Sequence, residues 1–410
     1  MLNTLEEATM AAEHQNWSLL NQCLCQMVEA ENLATAEAEV NRQLALNYAL
    51  EILEAGDFQE RWDVAKLFPK LGMMAIAPLI NILEDEDAEE ELRWFVARIL
   101  AHFNCPEVIS ALIAILKSSE SEELSAIAAE TLANLGQNAI AALTELLAAA
   151  ETRFLAVRSL CAIRRSEIIA PLLSVVNDQQ VAVRAAAIEA LSSFADSRIP
   201  PILLQALKDL AAPVRREAII GLSLRNDLQN ELDLVSEIIP LLWDLNLDVC
   251  VAAANALGRL GTDAAADALL KVVISPHTPT SLQLQCVRSL GWIGTPKALN
   301  YLAQALSVES VAIYQEIMMV LGRVEQANLA ANATEILINA LKSSHPAIAD
   351  PNIRKTLAVS LGELGNLLGI DALNQLLTDV DLGVKLHAVA ALKKLGVSAH
   401  LGEDGEVISE

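Results

Sequence analysis

Apolar positions along this chain recur three and four residues apart, and the helical runs they mark follow one another almost without interruption. One phrase returns eleven times. It reads RWDVAKLFPKLG from Arg61, RWFVARILAHFN from Arg93, SAIAAETLANLG from Ser125, RFLAVRSLCAIR from Arg153, RAAAIEALSSFA from Arg184 and RREAIIGLSLRN from Arg215. It continues as CVAAANALGRLG from Cys250, QLQCVRSLGWIG from Gln283, YQEIMMVLGRVE from Tyr314, RKTLAVSLGELG from Arg354 and KLHAVAALKKLG from Lys385. Starts are 28 to 40 residues apart. With the first residue of each phrase as position 0, apolar side chains dominate one place before it and positions 3, 7 and 10.

A second apolar helix lies between successive phrases, as in AIAPLINIL from Ala75, EVISALIAIL from Glu107 and AADALLKVV from Ala265. Each unit therefore reads as helix A, a turn, helix B and a glycine stop, the stops being Gly72, Gly136, Gly261, Gly294, Gly365 and Gly396. One hairpin cannot bury both of its helices, so neighbours must stack into a continuous core. The pattern predicts an all-α protein, an α-solenoid of about eleven helical hairpins over residues 61–396. Residues 1–60 are helical in pattern without the phrase and read as an N-terminal helical cap; 397–410 read as a frayed acidic tail. SSHPAIADPN, inside the longest interval, predicts an inserted loop. No composition break divides the array, which reads as one domain.

A second regularity is acidic. Asp87, Asp178, Asp209, Asp244 and Asp379 each stand six residues before a phrase start. Such an aspartate can cap the turn and meet the basic residue of its own or the adjacent unit, giving a ladder of ion pairs along the array.

Composition agrees with this architecture. Apolar residues make up 53% of 410 and aromatics only 3%, so the core is built of Ala, Leu, Ile and Val, the material of short close-packed helices. A net charge of −25 argues against duplex nucleic acid and against an anionic membrane surface, and suits local basic patches on an acidic background. No run of the length needed to span a bilayer is free of charges or breakers, and no basic leader opens the chain. Six scattered cysteines read as reduced thiols, which places the chain in a cytoplasmic setting.

Helix B is the inner helix of solenoids, so its exposed positions are expected to line a concave face. Positions 1, 5 and 9 are the outward ones. They carry Trp62, Trp94 and Phe154, then Lys66, Arg98, Arg158 and Arg288, then Arg259, Trp292 and Arg323, with Lys70, His102 and Lys394 in the same phase. Arginine presents a planar fork to carboxylate or phosphate, and tryptophan a rigid contact surface. Together they suit a partner's acidic edge or a flat conjugated acid. The structural alternative is that the tryptophans complete helix packing and the arginines form surface ion pairs.

Other chemistry is sparse. Cys23 and Cys25 stand two apart on a helical pattern and so point to different sides, which disfavours joint metal binding. Cys286 reads as core, whereas Cys105, before Pro106, reads as exposed and reactive. No nucleophile elbow, phosphate loop or dinucleotide fingerprint is present, so no catalytic or metal residue is assigned. EDEDAEEE from Glu84 reads as a solvated acidic turn.

The phrases RWFVARIL and VRAAAIEAL resemble the HEAT-like repeats named after phycobilisome lyases, over roughly residues 55 to 396. The chain is most similar to cyanobacterial members related to E/F-type phycocyanobilin lyases and phycobilisome-degradation proteins. It is also similar to the HEAT-repeat partner of the A-type iron–sulfur carrier IscA. The resemblance implies a scaffold for a protein partner, either a phycobiliprotein or an iron–sulfur assembly factor. It also implies an alternative, a bilin lyase or bilin-handling chaperone that attaches or detaches a linear tetrapyrrole on phycobiliprotein, the tetrapyrrole being then a ligand and no cofactor being otherwise expected. In that alternative Arg98 and Arg158 would hold propionates and Trp62 and Trp94 would flank the rings.

Overall fold

The computed structural model describes residues 2–30, 36–118, 121–398, 400–401 and 407–408. Two compact units emerge, Met1–Phe194 and Ala195–Glu410, although no composition break marks the division.

The N-terminal unit opens with α1 (Leu2–Glu13), α2 (Trp17–Ala30) and α3 (Ala36–Ala55). Repeats follow through α4 (Phe58–Ala65), α5 (Phe68–Leu71), α6 (Ile76–Glu84), α7 (Glu90–Leu100), α8 (Pro106–Ser118) and α9 (Glu122–Leu135). The unit continues with α10 (Gln137–Leu146), α11 (Ala150–Ile163), α12 (Ile169–Leu173) and α13 (Val181–Leu191). The C-terminal unit holds α14 (Ile199–Ala206), α15 (Ala212–Ser223), α16 (Leu234–Ile238), α17 (Leu247–Leu260), α18 (Asp263–Val273) and α19 (Thr280–Ile293). After these come α20 (Pro296–Ala305), α21 (Val311–Gly322), α22 (Ala327–Lys342), α23 (Pro351–Leu364), α24 (Ile370–Leu376) and α25 (Leu382–Lys394). Each phrase forms or ends a B helix, beginning with α4 and finishing with α25. The array is an α-solenoid.

The helices start and stop where the sequence provides caps. Asp57 and Glu60 form a reciprocal capping box on α4, and Ser121, Thr262, Thr295 and Asp381 accept backbone N–H groups at the starts of α9, α18, α20 and α25. All six glycine stops have positive φ. Gly261 is left-handed, whereas Gly136 has ψ near −128°, a region closed to any residue with a Cβ. Arg164 stands at the stop of α11 with φ 50° and ψ 40°, a left-handed arginine where other repeats place glycine. The insertion before Arg354 is a longer A helix, α22, and a 3-10 turn at Pro346–Ala349.

The core follows the predicted phase. Leu92, Val96, Leu100 and Phe103 on the α7 phrase are all buried, as are Val249, Ala253, Leu257 and Leu260 on α17. Each of the leucine, valine and phenylalanine side chains contributes about 1.5–3 kcal/mol by leaving water. B helices of neighbouring repeats pack against one another more extensively than A helices do in both units. In the C-terminal unit the approach is close enough to require glycine at position 8. A Cβ on Gly322 would stand 2.7 Å from Ser360 Cβ, and one on Gly362 would stand 2.8 Å from Ala391 Cβ.

The acidic ladder is real and it runs in one direction. Arg153 donates to Asp178 at 2.6 Å, Arg215 grips both oxygens of Asp244 at 2.7 and 2.8 Å, and Arg354 grips Asp379 at 2.6 and 3.1 Å. Each arginine thus reaches forward into the next repeat's turn. It also donates backward, to carbonyls of its own turn, as Arg215 does to Asp209 and Leu210. The aspartate's remaining lone pairs accept the N–H two residues on, at Gln180, Asn246 and Asp381. Where position 0 is neutral, Cys250 donates to Asp244 O, and Gln283 donates to Val273 O and Ser275 O.

Asp87 departs from the expectation. The cation expected to meet it belongs to other carboxylates: the buried Arg61 donates to Glu89 and Glu91, each at 2.8 Å, because the acidic turn is longer here. The acidic tail lies mostly outside the described residues, apart from β1 (His400–Leu401) paired antiparallel with β2 (Val407–Ile408).

Phe58–Glu84 is the one described segment with the length and apolarity to cross a membrane. It is not one helix. Pro69 and the positive φ of Gly72 divide it into α4, α5, a 3-10 turn and α6.

Candidate functional site

The exposed phase of the B helices behaves as the pattern requires: Lys66, Arg98, Arg158, Arg259, Arg288 and Arg323 are all exposed, and Trp62, Trp94 and Phe154 are half-buried. What the structure brings together is more local than a continuous strip.

The tightest gathering is in the N-terminal unit. Trp94 and Arg98 stand four apart on α7 and share one face. Trp62 on α4 comes alongside from the preceding repeat. The Arg98 guanidinium lies over both indoles, its central carbon 4.9 Å from the Trp62 centroid and 5.4 Å from that of Trp94. Beneath it Phe95, 1% exposed, meets Phe58, Trp62 and Trp94 edge-on at 5.1, 6.5 and 5.2 Å. Phe58 stacks on Trp62 in turn. The result is a small cup of about 180 Å³, lined by Trp62, Ala65, Lys66, Phe95, Arg98, Ile99 and His102. Lys66 is paired at 2.7 Å with Asp63, whose carboxyl is held below its ordinary value by hydrogen bonds from Lys66 and Gln59. Arg98 has no carboxylate partner among the described residues.

Phe154 and Arg158 form a separate pair on α11, with the guanidinium 5.9 Å from the ring. The interruption has a simple cause. The intervening B helix, α9, carries exposed Glu130 at position 5, so the row reads Lys66, Arg98, Glu130, Arg158. Arg158 borders a cavity of about 630 Å³ with Cys161, Arg164, Glu189 and Phe194. Burial, with Glu189 adding to it, pushes the Cys161 thiol up to about 12, so it is inert there.

The C-terminal unit distributes its candidates. Arg288 is taken up by Glu316 of the next B helix, at 2.8 and 3.1 Å, and acts as an interrepeat clamp. Arg323 borders a groove of about 1040 Å³ between α21 and α23, with Lys355 and His387 on one hand and Glu325 and Glu363 on the other. Arg259 and the 59% exposed Trp292 stand on α17 and α19 and line no cavity described here.

Cysteine placement needs one correction. Cys105 is buried rather than exposed, because the turn that precedes α8 folds it inward; burial raises its thiol, and Glu107 adds to the effect. Cys286 lies in the core. Cys23 and Cys25 sit on the unbroken α2, one buried and one half-buried. Among the described residues no group of three potential metal ligands comes together.

Phe58, Phe95 and Ile99, which build the cup, were not among the residues singled out by the outward phase. Phe58 precedes its phrase, and Phe95 and Ile99 occupy positions 2 and 6, between the core and surface rows.

No curated protein matches the sequence. Among solved structures the chain is similar to Kap95p bound to RanGDP, with 12% identity over 96% of this chain and 58% of that one and a TM-score of 0.55. An engineered protein matches with 20% identity over 92% and 99% of the two chains and a TM-score of 0.33. Human deoxyhypusine hydroxylase in complex with glycerol matches with 20% identity over 67% and 99% and a TM-score of 0.29. These likenesses concern the fold. In the sequence itself, segments 76–153, 148–223, 200–280 and 235–322 each match HEAT repeats. Together they span more than half of the chain, and the protein belongs to the HEAT-repeat family.

Proposed function

We propose that this chain is a non-catalytic scaffold that binds a protein partner on its B-helix face, with the Trp62–Arg98–Trp94 cluster as the principal contact. The observation that carries this reading is Arg98: a cation laid on two indole faces, exposed and without a carboxylate of its own. Aromatic and arginine side chains that become buried on contact dominate binding energy where proteins meet. Kap95p, of the same fold, is a structure with a bound protein, RanGDP. The likeness of RWFVARIL and VRAAAIEAL to phycobilisome-lyase repeats directs the search for the partner to phycobiliproteins and iron–sulfur assembly factors in a cyanobacterial cytoplasm.

A photo-crosslinking residue in place of His102, at the rim of the cup, is expected to capture one predominant protein, and Arg98→Ala to abolish that capture. The same yield from a crosslinker at Ser110, on an A helix, would overturn the assignment. The second reading, bilin handling, is favoured by the same exposed guanidinium fork beside indole faces, which suits a conjugated acid. Phycocyanobilin titrated into the protein should then shift its visible spectrum, and Trp94→Ala should cancel the shift; an unchanged spectrum removes this reading.

A further inference from the structure

The cup beside Arg98 has the dimensions and lining of a receptor for one side chain, which narrows the chemistry of the partner. Its floor is Phe95 and Ile99, both almost fully buried, and Trp62 forms a wall. Its rim carries Arg98, unpaired among the described residues, with His102, while Lys66 beside them is held by Asp63, and no carboxylate is among the residues that line it, in a chain whose net charge is −25. A volume of about 180 Å³ is on the scale of one leucine or phenylalanine side chain. The guanidinium's flat face is already occupied by the indoles, so its N–H edge is what remains for a ligand. Stacking also restricts the arginine before anything binds, which lowers the ordering cost of a salt bridge.

We infer that the cup binds a short acidic segment of the partner protein, seating one large apolar side chain against Trp62 while a neighbouring carboxylate takes the edge of Arg98. This inference rests on the scaffold reading above and specifies the partner's chemistry. Charge complementarity selects the occupant: a basic-rimmed hollow on an acidic protein repels acidic surfaces elsewhere and accepts them here. An apolar segment without acids leaves the edge of Arg98 unused, and an acidic segment without an apolar residue leaves the Trp62 wall wet.

The probe is a fluorescein-labelled, terminally blocked peptide, Glu-Asp-Leu-Phe-Asp-Glu, titrated with the full chain and followed by anisotropy. Binding is expected to weaken about tenfold when the acids are replaced by their amides, when Leu-Phe is replaced by Ala-Ala, and in the Arg98→Ala protein. Arg98→Lys, which keeps the charge and loses the planar fork, should also weaken it, and added salt should weaken the acidic peptide alone. Equal binding of the amide peptide, equal binding by Arg98→Ala, or no binding at all would overturn the inference. If the His102 crosslink to a partner still depends on Arg98 while the peptide fails, the scaffold reading stands without this inference. If both fail, both are wrong.

Discussion

The two units use the same hairpin and the same forward-reaching arginine, yet their B helices meet in different ways. In the C-terminal unit Gly258, Gly291, Gly322 and Gly362 recur at position 8 and face Ser289, Val320, Ser360 and Ala391 at position 6 of the next repeat. Backbones nearly touch there: a Cβ on Gly362 would lie 2.9 Å from Ala391 Cα. In the N-terminal unit that position holds residues such as Ala101, Ala133 and Cys161, and the space at the first interrepeat contact is filled by Phe58, Trp62, Trp94 and Phe95. Close packing brings the backbones together, and the groove beside Gly322 and Ser360 is lined by charged groups of both signs, Arg323 and Lys355 with Glu325 and Glu363. Aromatic packing leaves a hollow with a hydrophobic floor. The difference explains why equally outward arginines form a cup at Arg98 and a clamp at Arg288.

Three substitutions and one control test that contrast. The largest effect is expected from Phe95→Ala, about 4 kcal/mol, since a fully buried ring leaves a void that its three aromatic neighbours cannot refill. Hydrogen exchange should show loosening of α4 and α7 with protection of α21–α25 unchanged; loosening spread over both units would mean the aromatic cluster is not local. Next comes Gly322→Val at about 3 kcal/mol, from a side chain forced against the Ser360 backbone. Exchange should then rise in α21 and α23 alone, and a neutral urea midpoint would show that the helices can separate at little cost.

Asp244→Asn tests what the units share. Burial would raise the Asp244 carboxyl, but hydrogen bonds from Arg215 and the Asn246 N–H, with the charge of Arg215, bring it below 3.8; Asp379 behaves likewise with Arg354. A depressed folded-state value gives stability that is complete above 3.8 and is lost as pH falls through the depressed value. The variant should therefore be about 3 kcal/mol less stable near neutrality, and its deficit should close in strong acid. A deficit independent of pH would deny the ion pair its role. The smallest change belongs to Arg98→Ala, within about 0.5 kcal/mol because the side chain is exposed, although it should abolish partner capture. A large loss of stability would make Arg98 architectural.

Much of this was legible in the chain. The phrase starting at Arg93 located α7, and the aspartates six places ahead of Arg184, Cys250 and Lys385 located the turns, because a periodic array writes its contacts at a constant spacing. The direction of the ladder was not legible: the same spacing allows Arg215 to meet Asp209 or Asp244, and only packing decides. The outward row was legible but its division was not, because Glu130 shares position 5 with Arg98 and Arg158 and was not weighed among them. Cys105 looked exposed because a residue before proline usually belongs to a loop, and here the loop turns inward. The glycines at position 8 were hidden by the better-known glycines that end helices.

The forward-reaching arginines also bear on how the array responds to force. Arg215 and Arg354 each tie one turn to the next through two charge-assisted bonds, and pulling the repeats apart must break both together. At Cys250 and Gln283 the corresponding residue holds only its own turn, so tension across α17 to α19 meets no such tie at position 0. The C-terminal unit is consequently a spring of uneven stiffness. In an optical trap with handles at Ala212 and Lys394, the first extension should come from the stretch after Cys250, and Cys250→Arg combined with His277→Asp, which supplies the carboxylate six places before Gln283, should delay it.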